Sequence, residues 1–99
     1  MKRRLIFRVD ANATIGRGHL SRCLAIADML YNDFEILFVS YEENKSYIEK
    51  LSIPYRFEGI LSDASFFDFV NQEDIVWLDG YAFNESFKKR LRFHVFKLI

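Results

Sequence analysis

The sequence has few of the residues that build disulfide-rich or charge-driven proteins. Its 99 residues include one cysteine, one proline and four glycines, and 14 basic residues balance 14 acidic ones. A single cysteine, Cys23, allows no intramolecular disulfide, and its place on the apolar face of a predicted helix indicates a core residue. Because the formal net charge is zero, we expect no nucleic-acid or membrane partner, and a phosphate would need a local site.

Long apolar runs are also missing. The chain begins with Met1 and three basic residues, like the start of a signal peptide, but Arg8 and Asp10 interrupt the apolar stretch that follows. A signal peptide needs about 7–15 apolar residues and a membrane span about 20. We therefore expect neither of these segments, and the cytoplasm is the default location.

The chain does contain 51% hydrophobic residues, with eleven phenylalanines and five tyrosines. This is enough for one small domain with an aromatic core. Short apolar runs predict five strands, at residues 5–9, 34–39, 55–57, 75–78 and 94–99. The sequence predicts four helices: two at residues 19–31 and 42–51, a third at 63–70 with Ser62 as its cap, and a fourth after its cap Asn84. Because strands alternate with helices, we predict an α/β fold: a Rossmann-like parallel sheet in the order 3-2-1-4-5, with helices on both faces.

Polar residues follow the first and fourth predicted strands. Asp10 ends the first strand, Asp79 ends the fourth, and Tyr81 lies in the turn after it. Ligands of an open parallel sheet bind beyond the carboxyl ends of the strands, where the strand order reverses. In the order 3-2-1-4-5 these two strands are neighbours, so we expect the three residues at one crevice. Two structural alternatives stay open: Asp10 could accept hydrogen bonds from N–H groups of the following loop, and Asp79 could hold its own turn in the same way.

A glycine loop and a histidine precede and begin the first predicted helix. Gly16 and Gly18 allow a tight turn and close approach to a ligand, and a helix start directs N–H groups at an anion. Ser21 stands where the dinucleotide fingerprint has its third glycine or alanine, so a turn without a ligand is an open alternative. At the helix start, the dipole favours neutral His19, which suits a general base. Arg22, three residues on, can share that helix face and meet a phosphate or sugar oxygen.

Four short blocks of the sequence fit one known family. They are R-V-D-A-N at 8–12, I-G-R-G-H at 15–19, R-C-L at 22–24 and L-D-G-Y at 78–81. Together they resemble the amino-terminal part of the pseudaminic-acid pathway hydrolases, which act on UDP-2,4-diacetamido-2,4,6-trideoxy-β-L-altropyranose. Gly80 departs from members that have a histidine there. The resemblance spans the whole chain but only the front portion of the family's length.

The resemblance implies a two-domain fold of the GT-B glycosyltransferase type. Residues 1–99 would be a partial amino-terminal α/β domain, and the carboxyl-terminal nucleotide-binding domain would be absent from this chain. It also implies that His19 activates a water that attacks the anomeric carbon with inversion, releasing UDP and the free sugar without a metal or cofactor. With the positions argued above, the predicted UDP-sugar-binding residues are Asp10, Gly16, Gly18, Arg22, Asp79 and Tyr81.

Three other functions are compatible with the sequence. One is a GT-B glycosyltransferase that transfers the sugar to an acceptor other than water. Another is a Rossmann-type nucleotide-binding module with Glu42 or Glu43 on a ribose, and the third is an inactive binding or interaction domain. Two details carry no predicted function: the run Lys88-Lys89-Arg90 is expected to be a solvated helix face, and His94 is expected to lack a local partner.

Overall fold

The computed structural model describes residues 2–9, 18–80 and 83–99. All five predicted strands and all four predicted helices are present in these ranges. In chain order they are β1 (Arg4–Val9), α1 (Gly18–Leu30), β2 (Glu35–Tyr41), α2 (Lys45–Lys50), β3 (Arg56–Ile60), α3 (Asp63–Phe69), β4 (Ile75–Asp79), α4 (Glu85–Arg92) and β5 (Lys97–Leu98). None of the helices in the described ranges is long and apolar enough to cross a membrane.

The sheet has the predicted topology. Its five strands are all parallel and lie in the order β3-β2-β1-β4-β5. The central strand β1 pairs with β2 on one side and with β4 on the other, and Val9 lies opposite Asp79. The α/β architecture is therefore Rossmann-like, and the carboxyl ends of β1 and β4 flank the point at which the strand order reverses.

Helices cover both faces of the sheet because the strand side chains alternate between them. Leu5, Phe7 and Val9 of β1 face α1 and α2, and the Phe7 ring stacks on Phe38 with centroids 5.0 Å apart. Ile6 faces the opposite side, where α3 and α4 pack. The same alternation along β4 determines on which face of the sheet its last side chain, Asp79, lies.

Side-chain caps begin two of the helices as the sequence predicts. The Ser62 hydroxyl accepts a hydrogen bond from the Ser65 N–H at 3.2 Å, and the Asn84 side chain accepts one from the Phe87 N–H at 2.8 Å. Such a bond satisfies one of the N–H groups that a helix start leaves unpaired. Asn84 directly precedes α4, and Phe87 and Leu91 of this helix pack in the core.

The structure corrects three details of the sequence interpretation. The predicted second helix begins as a 3-10 turn at Glu42–Asn44. The predicted strand 94–99 shortens to Lys97–Leu98, because the preceding residues form the turn that leaves α4. His94 does have local partners: its Nδ1 lies 2.9 Å from the Arg90 carbonyl oxygen, and its ring packs on Phe67.

Candidate functional site

The last residue of β4 lies beneath the start of α1. Ile75 and Trp77 pack with the residues of α1, whereas Val76 and Leu78 belong to the opposite face of the sheet. The period of two along the strand therefore directs Asp79 to the α1 side. Its carboxylate is 8% exposed, so it needs hydrogen-bond donors close by.

Side chains from the first two turns of α1 supply those donors. His19 Nδ1 lies 2.5 Å from Asp79 Oδ1. Arg22 donates from Nη2 to Oδ1 at 2.6 Å and from Nε to Oδ2 at 2.9 Å. The helix spacing of three residues brings His19 and Arg22 onto one face, as predicted, and Arg22 Nη2 is 2.9 Å from His19 Nδ1. One carboxylate thus holds an imidazole and a guanidinium together.

The charge of Asp79 decides which imidazole nitrogen carries a proton. Burial raises the pKa of Asp79, but hydrogen bonds from Arg22 and His19 outweigh this and hold that pKa below its usual value. An ionised carboxylate can only accept hydrogen bonds, so the contact at 2.5 Å requires a proton on His19 Nδ1. The short approach of Arg22 Nη2 to Nδ1 follows because both groups donate to the same oxygen. In the neutral ring Nε2 is then the nitrogen that can accept a proton.

Cys23 is buried in the core, as the sequence predicts, and it also touches the site. Its Sγ lies 3.5 Å from Asp79 Oδ2. Burial, followed by the nearby Asp79 charge, raises the pKa of the Cys23 thiol well above its usual range. The thiol is therefore a neutral hydrogen-bond donor to the carboxylate rather than a nucleophile. The sequence holds a hint of this contact, since Cys23 is four residues after His19 on the same helix face.

The predicted site residues divide into three groups. His19, Arg22 and Asp79 lie in mutual contact, and Gly18 is the exposed first residue of α1. A β-carbon at Gly18 would meet no heavy atom within 4 Å in the described part of the chain, so space does not require glycine there. The remaining three predicted residues, Asp10, Gly16 and Tyr81, lie outside the described residues.

Arg8 braces the same edge of the sheet on its other face. The side chain is fully buried, and Nη1 donates to the Val9 carbonyl oxygen at 3.0 Å. Its guanidinium lies over the rings of Tyr41 and Phe83, 4.6 Å and 5.0 Å from their centroids. The Asp63 carboxylate is 4.0 Å away and accepts the Tyr41 hydroxyl at 2.7 Å. Arg8 therefore joins the carboxyl ends of β1 and β2 to the start of α3, which is a structural role.

A separate cavity of about 290 Å³ opens at the carboxyl ends of β2 and β3. It is lined by Tyr41, Glu42, Glu43, Ile60 and Leu61. These include both glutamates of the ribose-binding alternative. The cavity leaves room for a small group at the carboxyl ends of β2 and β3, and none of the three cluster residues lines it.

Comparisons of the chain with models of protein families, with curated proteins and with solved structures found no match. The fold and the cluster therefore stand on the geometry described above. The resemblance to the pseudaminic-acid pathway hydrolases stays a prediction, as do the GT-B type and the cytoplasmic location.

Proposed function

We propose that this chain carries the catalytic base of a UDP-sugar hydrolase. The observation that carries the proposal is the contact between His19 Nδ1 and the buried Asp79 carboxylate. A carboxylate that holds Nδ1–H fixes the tautomer and the ring orientation of a histidine, and it stabilises the imidazolium that forms when Nε2 takes a proton. The family resemblance supplies the substrate class, and the position of the cluster where the strand order reverses agrees with a ligand site.

The proposed reaction is a single displacement at the anomeric carbon. Nε2 of His19 removes a proton from water while the water oxygen bonds to the anomeric carbon. The bond between that carbon and the β-phosphate oxygen breaks, and its electron pair leaves with UDP. Attack from the side opposite to UDP inverts the configuration of the released sugar. No metal or cofactor enters this scheme.

Arg22 has a different part in the proposal. Its two hydrogen bonds to Asp79 keep the carboxylate ionised and aligned with the imidazole. The Arg22 side chain is 57% exposed, whereas that of Asp79 is 8% exposed. The guanidinium is thus the part of the cluster that solvent reaches, where a phosphate or a sugar oxygen could meet it.

The experiment measures UDP release from UDP-2,4-diacetamido-2,4,6-trideoxy-β-L-altropyranose. The protein is this chain joined to the carboxyl-terminal nucleotide-binding domain that the resemblance implies. We expect His19→Asn to lower turnover by about 10²–10⁴-fold, the usual contribution of a general base, with little change in substrate affinity. Arg22→Ala should lower turnover, because Asp79 loses the two hydrogen bonds that keep it ionised and aligned, and it should also raise KM if the exposed guanidinium binds the substrate.

His94 offers a matched control because the chain has only two histidines. It lies after α4 and contacts Arg90 and Phe67. His94→Asn should leave turnover within about twofold of the unchanged protein. Near-normal UDP release by His19→Asn would contradict the proposal, and transfer of the sugar to an added acceptor in place of water would favour the glycosyltransferase alternative.

A further inference from the structure

The two oxygens of the Asp79 carboxylate have different sets of hydrogen-bond donors. Oδ1 accepts from His19 and from Arg22 Nη2. Oδ2 accepts from Arg22 Nε at 2.9 Å and lies 3.5 Å from Cys23 Sγ. The torsion that turns a carboxylate about its Cβ–Cγ bond has a broad energy well. Donors on Oδ2 are therefore needed to keep Oδ1 aligned with the imidazole.

The two donors to Oδ2 differ in how firmly they are held. The Arg22 side chain is long and 57% exposed, and the proposed function gives its guanidinium a phosphate or sugar oxygen as an alternative partner. Cys23 is fully buried in the same core cluster as Leu20 and Ala27. A single side-chain torsion places its sulfur, so the packed core fixes the thiol. The thiol is therefore the donor that stays on Oδ2 when Arg22 turns to a ligand.

The chemistry of the thiol suits this role. Burial and the Asp79 charge raise the pKa of the Cys23 thiol, so the sulfur keeps its proton. S–H is a weak donor, but an ionised acceptor strengthens the hydrogen bond. Among the side chains that the structure describes, only His19, Arg22 and Cys23 hydrogen-bond to the Asp79 carboxylate. Without the thiol, Oδ2 would depend on Arg22 Nε alone.

We propose that Cys23 is a positioning residue, whose thiol keeps the Asp79 carboxylate aligned with His19 while Arg22 contacts the substrate. The identity of the substrate rests on the proposed function, whereas the contact between Cys23 and Asp79 does not. Cys23 acts through its neighbours: the thiol holds Oδ2, and Oδ1 holds the proton on His19 Nδ1. Loss of the thiol should matter most when Arg22 has left Oδ2, so substitutions of Arg22 and Cys23 should be non-additive.

The test follows the tautomer of His19 by long-range proton–nitrogen NMR on the full chain, at a pH where the imidazole is neutral. Arg22→Ala and the bulkier Arg22→Gln serve as backgrounds, because each removes the guanidinium from Oδ2 as a bound ligand would. In both backgrounds, Cys23→Ala should lower the ratio of the Nδ1–H form to the Nε2–H form by about 3- to 10-fold, the usual effect of one hydrogen bond. With Arg22 in place, Cys23→Ala should change the ratio less than about twofold, because Arg22 Nε still holds Oδ2.

Two further variants separate hydrogen bonding from packing. Cys23→Ser, made in the same backgrounds, keeps an O–H donor on the same β-carbon and should restore the ratio to within about twofold of its value with Cys23. Ile48→Val removes one carbon from the same core cluster, on α2 instead of α1, and should leave the ratio unchanged. Far-ultraviolet circular dichroism confirms that each variant is folded. An unchanged ratio after Cys23→Ala, or an equal loss in Cys23→Ser or Ile48→Val, would overturn the proposal.

Kinetics separates this inference from the proposed function. In the chain joined to the carboxyl-terminal nucleotide-binding domain, Cys23→Ala should lower kcat by about 3- to 10-fold and change KM less than about twofold, since the thiol acts when the substrate engages Arg22. Cys23→Ser should recover most of this loss. If the protein releases no UDP, the proposed function fails, and the NMR ratios still decide the role of Cys23. Turnover that depends on His19 but not on Cys23, with unchanged NMR ratios, would overturn the Cys23 inference alone.

Discussion

Two buried aspartates lie at opposite ends of β4, and each is paired with an arginine through two hydrogen bonds. Asp74 precedes the strand and accepts Arg4 Nε at 2.8 Å and Nη2 at 2.7 Å. Asp79 ends the strand and accepts Arg22 Nε at 2.9 Å and Nη2 at 2.6 Å. The two aspartate side chains are 1% and 8% exposed. As ion pairs they are nearly identical.

Their surroundings are different. Asp74 also accepts the Asn71 N–H at 2.9 Å, and its own carbonyl oxygen accepts the Phe96 N–H at 2.8 Å. Arg4 donates in addition to the Phe69 carbonyl oxygen. The amino-end pair thus ties together the turn before β4 and the segment before β5, and all its contacts serve the architecture.

The carboxyl-end pair adds groups that can do chemistry. His19 and Cys23 both contact the Asp79 carboxylate, and the Arg22 side chain is 57% exposed. The position is also the edge at which α/β proteins bind ligands. A buried Asp–Arg pair alone therefore does not indicate function, and what distinguishes Asp79 is the histidine on the same oxygen and the location at the carboxyl edge.

The largest expected difference between the two aspartates is the effect of their substitution on turnover. In this chain joined to the carboxyl-terminal nucleotide-binding domain, Asp79→Asn should lower the rate of UDP release by about 10²–10⁴-fold. The reason is that an amide does not hold the Nδ1–H tautomer of His19 or stabilise its imidazolium. Asp74→Asn should leave the turnover of the folded fraction within about twofold. Steady-state kinetics of both variants at one temperature checks this, and a similar loss in both would remove the distinction between the two ends of β4.

Stability should separate them in the opposite direction. Asp74→Ala removes one partner of the more deeply buried pair and should lower the free energy of unfolding by about 3–5 kcal/mol. Asp79→Ala should cost less, about 1–3 kcal/mol, because solvent can take over the hydrogen bonds of half-exposed Arg22. Urea unfolding of the chain followed by Trp77 fluorescence measures both values. A larger loss for Asp79→Ala would contradict the order.

Acid should act on the carboxyl-end pair through the lowered pKa of Asp79. Because the pKa of Asp79 is lower in the folded chain than in the unfolded chain, its ionised carboxylate stabilises the fold. This stabilisation is complete above the ordinary aspartate pKa of about 3.9. That contribution is lost as the pH falls below this value toward the pKa of the folded state. The difference in unfolding free energy between the unchanged chain and Asp79→Asn should therefore shrink between about pH 5 and pH 2. A difference that stays constant over this range would contradict the pKa shift.

The smallest effect concerns Cys23. Because burial and Asp79 raise the pKa of its thiol, alkylation by iodoacetamide at about pH 8 should be much slower than in the unfolded chain. Asp79→Asn should speed alkylation modestly, since burial is the larger cause and remains. Mass spectrometry of the reaction over time measures both rates, and a rate in the folded chain equal to that in urea would contradict this account.

Much of the fold follows from the sequence alone. Apolar runs of strand length that alternate with helical periodicity gave the element order, and the handedness of βαβ connections limited the sheet to few topologies. The caps at Ser62 and Asn84 are local effects of side chains on neighbouring N–H groups, so they too were predictable. The last strand was harder to predict. The apolar run at 95–99 is compatible both with a strand and with a turn whose side chains pack on the core.

The candidate site was predicted as a set of residues but not as a network. Position at strand ends and helix starts identified His19, Arg22 and Asp79. From the sequence, Asp79 was expected to bind a sugar hydroxyl or to hydrogen-bond within its own turn. The structure shows that its carboxylate contacts His19 and Arg22 instead, because α1 packs on β4. Contacts between residues 57 and 60 positions apart depend on helix placement to within an ångström or so, which periodicity does not fix.

The most direct test of the account is the tautomer of His19. A long-range proton–nitrogen NMR spectrum of the chain, recorded at a pH where the imidazole is neutral, distinguishes the ring nitrogen that carries a proton from the one that does not. His94→Asn identifies the His19 resonances by elimination. We predict a proton on Nδ1 and a bare Nε2 in the unchanged chain, and loss of this preference in Asp79→Asn. A proton on Nε2 in the unchanged chain would contradict the account, because the nitrogen assigned to remove a proton from water would already carry one.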